Sequence, residues 1–348
     1  MKLLKKNQVQ LGEQIKNLIT DETFPYIGKR LLQGMLTLLL ASFLCFMIIK
    51  LTPGNYLDTL KQNPRISLER LEELKKQFGL DQPPILQYLK WLIQVITQGN
   101  FGQSLAYSRP VTDLILSRMQ ATLELAISSI FFTWLIAIPL GIIAGVNQNK
   151  LPDKVLQIIT YISQGFPSLI MGLLLIIMAQ KLYPIFPVGD RTSIYYEQLS
   201  PIGKFLDVAW HAILPTIALS VISFAGLQRI TRGQLLDVLR QDYIQTARAK
   251  GLPENKVIYV HALRNAINPL VTLLGFEFAS LLGGAFISET IFNWPGLGKL
   301  IIQAVQNKDI YLVMASLMMG AVMLIIGNLL ADVLLKFVDP RIKLEDLK

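Results

Sequence analysis

The chain has 348 residues, of which 52% are apolar and only 16% are charged, whereas about a quarter of the residues are charged in an ordinary soluble domain. This composition predicts a membrane protein. The formal net charge of +9 does not indicate nucleic-acid binding, because the cations punctuate apolar runs instead of covering one face of a soluble domain. The single cysteine, Cys45, lies in the first apolar run and leaves the redox compartment undetermined.

Six apolar stretches are candidates for transmembrane helices, since about 20 mostly apolar residues cross the hydrocarbon layer. They are residues 31–49, 125–146, 155–180, 210–228, 266–290 and 310–331. We therefore expect an all-α membrane protein with about six transmembrane helices. Its parts are an N-terminal arm (1–30), a first transmembrane helix (31–50), a helical extracytoplasmic segment (51–120), a core of five transmembrane helices (121–338) that includes a loop at 232–265, and a tail (339–348).

Two helices are predicted in the segment between the first two spans. The first has Ser67 as its N-cap and Gly79 as its stop, and its apolar positions are Leu68, Leu71, Leu74 and Phe78. The second begins near Pro84 and is too broken by polar residues to span the membrane. Its apolar side comprises Ile85, Leu89, Leu92 and Ile96. We expect this side to pack against the outer membrane surface or against the bundle.

The distribution of lysine and arginine predicts the orientation of the chain. Basic residues are concentrated in the N-terminal arm, at Lys150 and Lys154, and in the loop that follows the fourth span with its flanks, whereas the loops near 181–209 and 292–309 hold few. Both termini and the loop at 232–265 are therefore expected in the cytoplasm.

No arrangement of residues predicts catalysis, a metal site or a cofactor. His211 and His261 are the only histidines, and one cysteine cannot complete a zinc site of ordinary spacing. The stretch "PGLGKL" lacks the first glycine of a phosphate-binding loop and has Leu300 after its lysine.

Glu277 is the acidic residue that stands out inside a predicted span, where a charge costs roughly 2.5 to 3.5 kcal/mol at mid-membrane. Two interpretations stay open: Glu277 lies on a solute or ion path, or it is protonated or hydrogen-bonded to a neighbouring helix. Glu124 and Asp332 lie near span ends, where water is within reach, which favours a structural role for both.

The loop between the fourth and fifth spans contains a short helical pattern, "DYIQTARAKGLPENK". The helix from Tyr243 to Lys250 is expected to end at Gly251, with a positive φ, because a glycine followed by a proline is a common helix stop. At helical spacing Tyr243, Thr246 and Ala247 share one side with Lys250, leaving a patch of small residues that another body could approach closely.

This loop resembles the "EAA" loop of bacterial ABC importer permeases, although only Ala247 and Gly251 match the general pattern and Gln245 and Thr246 replace its Glu and Ala. The amino-acid sequence of this loop is very similar to that of one branch of the family, the dipeptide, oligopeptide and nickel permeases. The same branch is indicated from about residue 27 to 343 by "LTPGN", "FGLDQPPILQYLKWL", "GNFGQSL", "RMQATLELA", "FPVGD", "LLGGAFISETIFNWPGLGKL" and "NLLADVLLKFVDPRIK".

The resemblance implies a non-enzymatic importer subunit in the bacterial inner membrane. Its implied partners are a homologous permease, two cytosolic ATP-binding subunits and an extracytoplasmic solute-binding protein. It implies an ATPase-coupling loop formed by Asp242, Tyr243, Gln245, Thr246, Ala247, Arg248, Gly251 and Leu252. Peptides are the expected solute, nickel or another small solute is the alternative, and an ion-coupled secondary transporter using Glu277 is the rival from another class.

Overall fold

The structure is a computed structural model, and it describes residues 23–338 apart from 53, 55, 62–66 and 78. This part of the chain is built from helices and has no β-sheet, so the expected all-α membrane architecture is confirmed. The predicted tail at 339–348, most of the predicted N-terminal arm, and Phe78 lie outside the described residues.

Fourteen α-helices follow one another in the described residues. They are α1 (Thr23–Leu51), α2 (Tyr56–Leu60), α3 (Leu68–Gln77), α4 (Pro84–Gln98), α5 (Val111–Val146), α6 (Leu151–Gly165), α7 (Ser168–Lys181), α8 (Pro201–Leu239), α9 (Asp242–Ala249), α10 (Glu254–Lys256), α11 (Leu263–Ala266), α12 (Asn268–Ile291), α13 (Leu297–Gln306) and α14 (Ile310–Val338). A 3₁₀ turn at Tyr196–Gln198 precedes α8, and a π-helical segment, Val257–Ala262, separates α10 from α11.

Four helices of the described chain are long and apolar enough to cross a membrane, and the number rises to five if a bent pair counts as one span. These four candidate spans are Pro25–Asp58, Val111–Val146, Pro201–Val221 and Ile310–Leu330. The predicted stretch at 266–290 forms α12, which has 24 residues. The total of six spans and the orientation of the termini stay predictions.

The stretch predicted as a span at 155–180 is helical but sharply bent. It is divided into α6 and α7, which meet at an angle of 98° around Phe166 and Pro167. A proline restricts the residue before it to extended conformations, and Phe166 adopts φ −88° and ψ 117°. The apolar composition continues through the break, so hydropathy alone did not show it.

The closest packing between long helices is between α5 and α8, and it depends on two glycines. A Cβ at Gly141 would lie 2.6 Å from Cβ of Thr231, and one at Gly145 would lie 3.0 Å from a Leu235 methyl group. Small residues allow helix backbones to approach closely in membranes. The two glycines thus make α5 and α8 a tightly joined pair.

Helices α1, α12 and α14 form the other side of the bundle. Near the first turns of α1, Tyr26 donates a hydrogen bond to Asp332 of α14 at 2.8 Å, and a guanidinium nitrogen of Arg30 lies 3.5 Å from the same carboxylate. Along the rest of α1, large apolar side chains such as Leu32 and Leu40 are exposed, as expected for a helix surrounded by lipid. Asp332 therefore has the structural role that the sequence favoured.

The two helices predicted between the first spans are present. Ser67 accepts a hydrogen bond from the Arg70 amide at 3.2 Å, and Gly79 follows α3 with φ +63°. Helix α4 begins at Pro84 as expected, but its buried side carries Gln87, Tyr88 and Trp91. The apolar side that the sequence singled out is largely exposed, and its members Ile85, Leu89 and Ile96 are all exposed.

Candidate coupling site

Helix α9 is attached to the end of the α5 and α8 pair by two buried side chains. Ile244 is completely buried and Ala247 is buried beside it. Their cluster draws residues from α5, α8, α9, the π-helical segment and α11. Its buried members are Ile142, Leu235, Ile244, Ala247, Val257, Ile258, Ala262 and Ala266. The buried cluster therefore joins α9 to the ends of both α5 and α8.

The C-terminal end of α9 has the hydrogen bonds of a Schellman motif. The Gly251 amide donates to the Arg248 carbonyl at 2.9 Å, and the Leu252 amide donates to the Ala247 carbonyl at 3.4 Å. Gly251 has φ +73°, which confirms the predicted positive φ and is costly for residues with a Cβ. Leu252 then packs against the same buried cluster as Ala247, so the stop is also an attachment point.

The outward side of α9 is polar and accessible. Asp242, Gln245, Thr246 and Arg248 are exposed, and Tyr243 accepts a hydrogen bond from the Asn265 side chain at 2.8 Å.

Arg248 makes two hydrogen bonds to Glu254 of α10, at 3.2 Å and 2.7 Å. The Arg248 guanidinium lowers the pKa of the Glu254 carboxyl below its usual range. This pair links the start of α10 to the end of α9 across the glycine stop.

The expected patch of small residues is only half present on this outward side. Ala247 points into the buried cluster, whereas Thr246 is exposed. Thr246 and Ala247 are neighbours on the helix, as the spacing predicted. Ile244 is buried on the side that faces the protein, and Ala247 lies on that side whereas Thr246 does not. Ala247 therefore contributes to attachment, and the accessible positions of the predicted loop are those around it.

A buried ion pair braces α8 close to α9. Asp153 of α6 is completely buried and accepts hydrogen bonds from Arg232 of α8 at 2.6 Å and 2.8 Å, from Gln157 at 2.8 Å and from the Asn149 amide at 2.8 Å. Arg232 lies at the start of the loop at 232–265, whose basic residues predict a cytoplasmic location. In the structure its charge is neutralised by a partner 79 residues away along the chain, which no local pattern could reveal.

The Glu277 side chain extends from α12 to a neighbouring helix of the bundle, α5. The indole N–H of Trp134, in α5, donates to a carboxylate oxygen of Glu277, in α12, at 2.7 Å. This is the contact to a neighbouring helix that one of the two sequence interpretations required. Glu124 has an ordinary partner too, because Arg191 binds both of its oxygens at 2.8 Å and 2.6 Å.

One acidic residue of structural importance was missed by the sequence reasoning. Glu289, at the end of α12, is completely buried and accepts hydrogen bonds from the Thr122 hydroxyl at 2.7 Å and the Lys299 amide at 2.9 Å. A Cβ at Gly296 would lie only 2.1 Å from the Glu289 carboxyl carbon. Gly296 in "PGLGKL" thus makes room for this carboxylate, and no local pattern pointed to Glu289, because its partner Thr122 is 167 residues away along the chain.

Two family descriptions match the chain over nearly its whole length. Residues 23–126 match the N-terminal part of the membrane component of binding-protein-dependent transport systems, and residues 137–344 match the inner membrane component of such systems.

Relatives among characterised proteins agree. The oligopeptide transport system permease protein AppB of Bacillus subtilis is 39% identical, covering 91% of this chain and 99% of the relative. The dipeptide transport system permease protein DppB of Escherichia coli K12 is 36% identical over 91% and 98% of the two chains. The glutathione transport system permease protein GsiC of the same strain is 36% identical with the same coverage.

A solved structure shares the fold. A chain of the MetNI methionine ABC transporter in an inward-facing conformation aligns with a TM-score of 0.53 at 16% identity, covering 65% of this chain and 97% of that one.

The fold and the site define a helical membrane subunit that carries a short, firmly attached helix at one end of its bundle. The chain belongs to the family of binding-protein-dependent transport system inner membrane components. It is a permease subunit of an ABC importer, works with ATPase subunits and is not itself an enzyme.

Proposed function

We propose that this permease imports peptides and that α9 with its flanking residues is the helix on which a cytosolic ATPase docks. The relatives named for oligopeptide, dipeptide and glutathione transport support a peptide solute, since glutathione is itself a small peptide. Nickel or another small solute is the alternative that the sequence left open.

The observation that carries the docking role is the division of α9 into two sides. Ile244 and Ala247 fix one side to the ends of α5 and α8, while Gln245, Thr246 and Arg248 stay exposed on the other. A helix that only reversed the chain direction would not need a fully buried anchor. Such an anchor is required if a force that a docked partner applies to α9 is to reach the long helices.

The proposed mechanism follows from this attachment. When ATP draws two ATPase subunits together, each would carry its docked helix along. Because α9 shares one buried cluster with α5 and α8, its movement would tilt that pair and change which end of the pathway is open. The nucleotide state thereby biases a two-state equilibrium of the membrane subunit.

For the assembly we propose a second, homologous permease, two ATPase subunits and an extracytoplasmic solute-binding protein. Both termini and α9 would lie in the cytoplasm of a bacterial cell, and the segment with α3 and α4 outside. The basic residues that flank α9, such as Arg240, Lys250 and Lys256, support this orientation by the positive-inside rule.

The test is reconstitution of the complete transporter in proteoliposomes with its cognate binding protein. The affinity of that protein for dipeptides, oligopeptides and chelated nickel is measured first, and each ligand is then tested for stimulation of ATP hydrolysis and for uptake. We expect a peptide to stimulate both activities. Stimulation by nickel alone would overturn the peptide assignment, and uptake without ATP would overturn the coupling mechanism.

For Glu277 we propose the structural role, supported by its hydrogen bond to Trp134. Glu277→Gln keeps a side-chain oxygen that can accept this bond, so we expect uptake within about fivefold of the unsubstituted chain, since such a neutral bond is worth only about 1 kcal/mol less than a charged one. A chain that is produced at normal levels but transports nothing would instead put the Glu277 charge on the pathway.

A further inference from the structure

Helix α4 presents three different sides, and one of them lacks a protein partner among the described residues. Tyr88 and Trp91 face the protein. A second side carries Lys90 and Gln94, which line a polar cleft of about 540 Å³. The third side is apolar and exposed, and its members are Ile85, Leu86, Leu89, Ile93 and Ile96. Because 100° separates successive residues of a helix, these five fall within an arc of about 100°.

The contacts of Tyr88 show how deep α4 lies relative to the membrane-spanning α1. The Tyr88 hydroxyl is 2.9 Å from the Ser42 hydroxyl and donates to the Leu39 carbonyl at 3.3 Å. Ser42 is nine residues before the end of α1 at Leu51, which corresponds to about 14 Å along the helix axis. The hydrocarbon layer is about 30 Å thick, so this hydroxyl lies within half that thickness of the Leu51 end of α1.

Tyr88, through which α4 contacts α1, also touches the exposed apolar surface of α1. The rings of Phe43 and Tyr88 form a T-shaped pair with centroids 5.3 Å apart, and Phe43 is itself 39% exposed. Its neighbours Leu40 and Leu44 are 57% and 58% exposed. Tyr88 is about 60° around the helix from Ile85, so the exposed apolar side of α4 begins beside the exposed apolar surface of α1.

We propose that α4 lies in the membrane interface, with Ile85, Leu86, Leu89, Ile93 and Ile96 inserted among lipid chains and Lys90 and Gln94 facing water. The occupant of this surface is lipid of the leaflet at the Leu51 end of α1, which is the outer leaflet under the orientation of the proposed function. Amphipathic helices with one apolar arc and a basic, polar opposite side lie in this plane. The segment between the first two spans is thus partly a membrane-bound element.

The test places a nitroxide label at adjacent positions of α4 in the complete transporter, assembled in lipid nanodiscs. Cys45, the only cysteine of this chain, is replaced by alanine, and Ile93→Cys, Gln94→Cys and Leu40→Cys are each labelled in the purified permease before the transporter is assembled. Gln94 is the matched control, because it lies next to Ile93 but on the polar side, and Leu40 is the reference for a lipid-facing side chain. Power saturation then compares exposure to oxygen, which concentrates in lipid, with exposure to a water-soluble nickel chelate.

We expect the oxygen-to-nickel accessibility ratio at Ile93 to match that at Leu40 and to exceed that at Gln94 several-fold. Equal ratios at Ile93 and Gln94 would place the apolar side in water. Exclusion of both reagents from Ile93 would show that a protein surface covers it, either the second permease or the binding protein. Both results overturn the proposal. The readout requires no transport, so it is independent of the peptide and docking assignments.

Discussion

Gly251 allows the backbone effect of a substitution to be separated from its effect on docking. Its φ is +73°, and no heavy atom lies within 4 Å of a Cβ built at this position. Gly251→Ala therefore adds no clash within the chain. The left-handed conformation lowers the free energy of unfolding by about 1 to 2 kcal/mol. The reduced flexibility of the unfolded chain raises it by about 0.4 to 1 kcal/mol. The net loss is about 1 kcal/mol.

Gly251→Arg pays the same backbone cost but adds a long cationic side chain on the exposed side of the stop. If an ATPase docks there, arginine should reduce peptide-stimulated ATP hydrolysis and uptake by at least tenfold, whereas alanine should reduce them only about fivefold or less, as expected for about 1 kcal/mol. Asparagine, which tolerates this conformation better, should be the mildest of the three.

The assay uses the reconstituted transporter, with basal ATP hydrolysis, stimulated hydrolysis, uptake and the amount of co-purifying ATPase measured for each variant. Membrane levels of the permease serve as the control for folding. Equal losses for alanine and arginine would refute the docking argument at Gly251, because the backbone alone would then explain the effect. Full activity of the arginine variant would refute it as well.

Other contacts give predictions of known direction. Ile244→Ala should loosen α9 by about 2 to 5 kcal/mol and Ile244→Val by about 0.5 to 1.5 kcal/mol, so stimulated ATP hydrolysis should fall in that order; no change with alanine would mean that the anchor is dispensable. Glu289→Ala leaves buried donors without acceptors, at about 1 to 3 kcal/mol or more, and should lower the unfolding temperature in detergent more than Glu289→Gln does. The exposed pair of Arg248 and Glu254 should contribute at most about 0.5 kcal/mol. Since the folded-state pKa of Glu254 is lowered, this contribution should be present above the ordinary carboxyl pKa and disappear as the pH falls through the lowered value; α9 stability in Glu254→Gln should then be independent of pH in that range.

Local patterns were sufficient where a feature depends on a few consecutive residues. The stop at Gly251, the cap at Ser67 and the start of α4 at Pro84 all follow from such short signals, and the structure has each of them. The use of Gly141 and Gly145 for close packing was also predictable, because small residues in an apolar span have few other uses.

Features that depend on distant partners could not be predicted in the same way. Asp153 and Arg232 are 79 residues apart, and Thr122 and Glu289 are 167 residues apart. Hydropathy also averaged over the break at Pro167, and helical spacing could not decide that Ala247 faces inward. In each case the missing information is the arrangement of helices around one another, which composition and periodicity do not contain.

Helix α8 has a mechanical consequence for transport that follows from its length. Its 39 residues are helical from Pro201 to Leu239, Pro215 included, so it is about 58 Å long, nearly twice the thickness of the hydrocarbon layer. Its apolar stretch, Pro201–Val221, lies at the end away from α9, and residues 222–239 continue the helix to the α9 anchor. A rod of this length that pivots by about 10° at one end displaces the other by about 10 Å, given the same rise per residue. Under the proposed docking of an ATPase at α9, a small step at that end of α8 would therefore become a larger displacement at its Pro201 end.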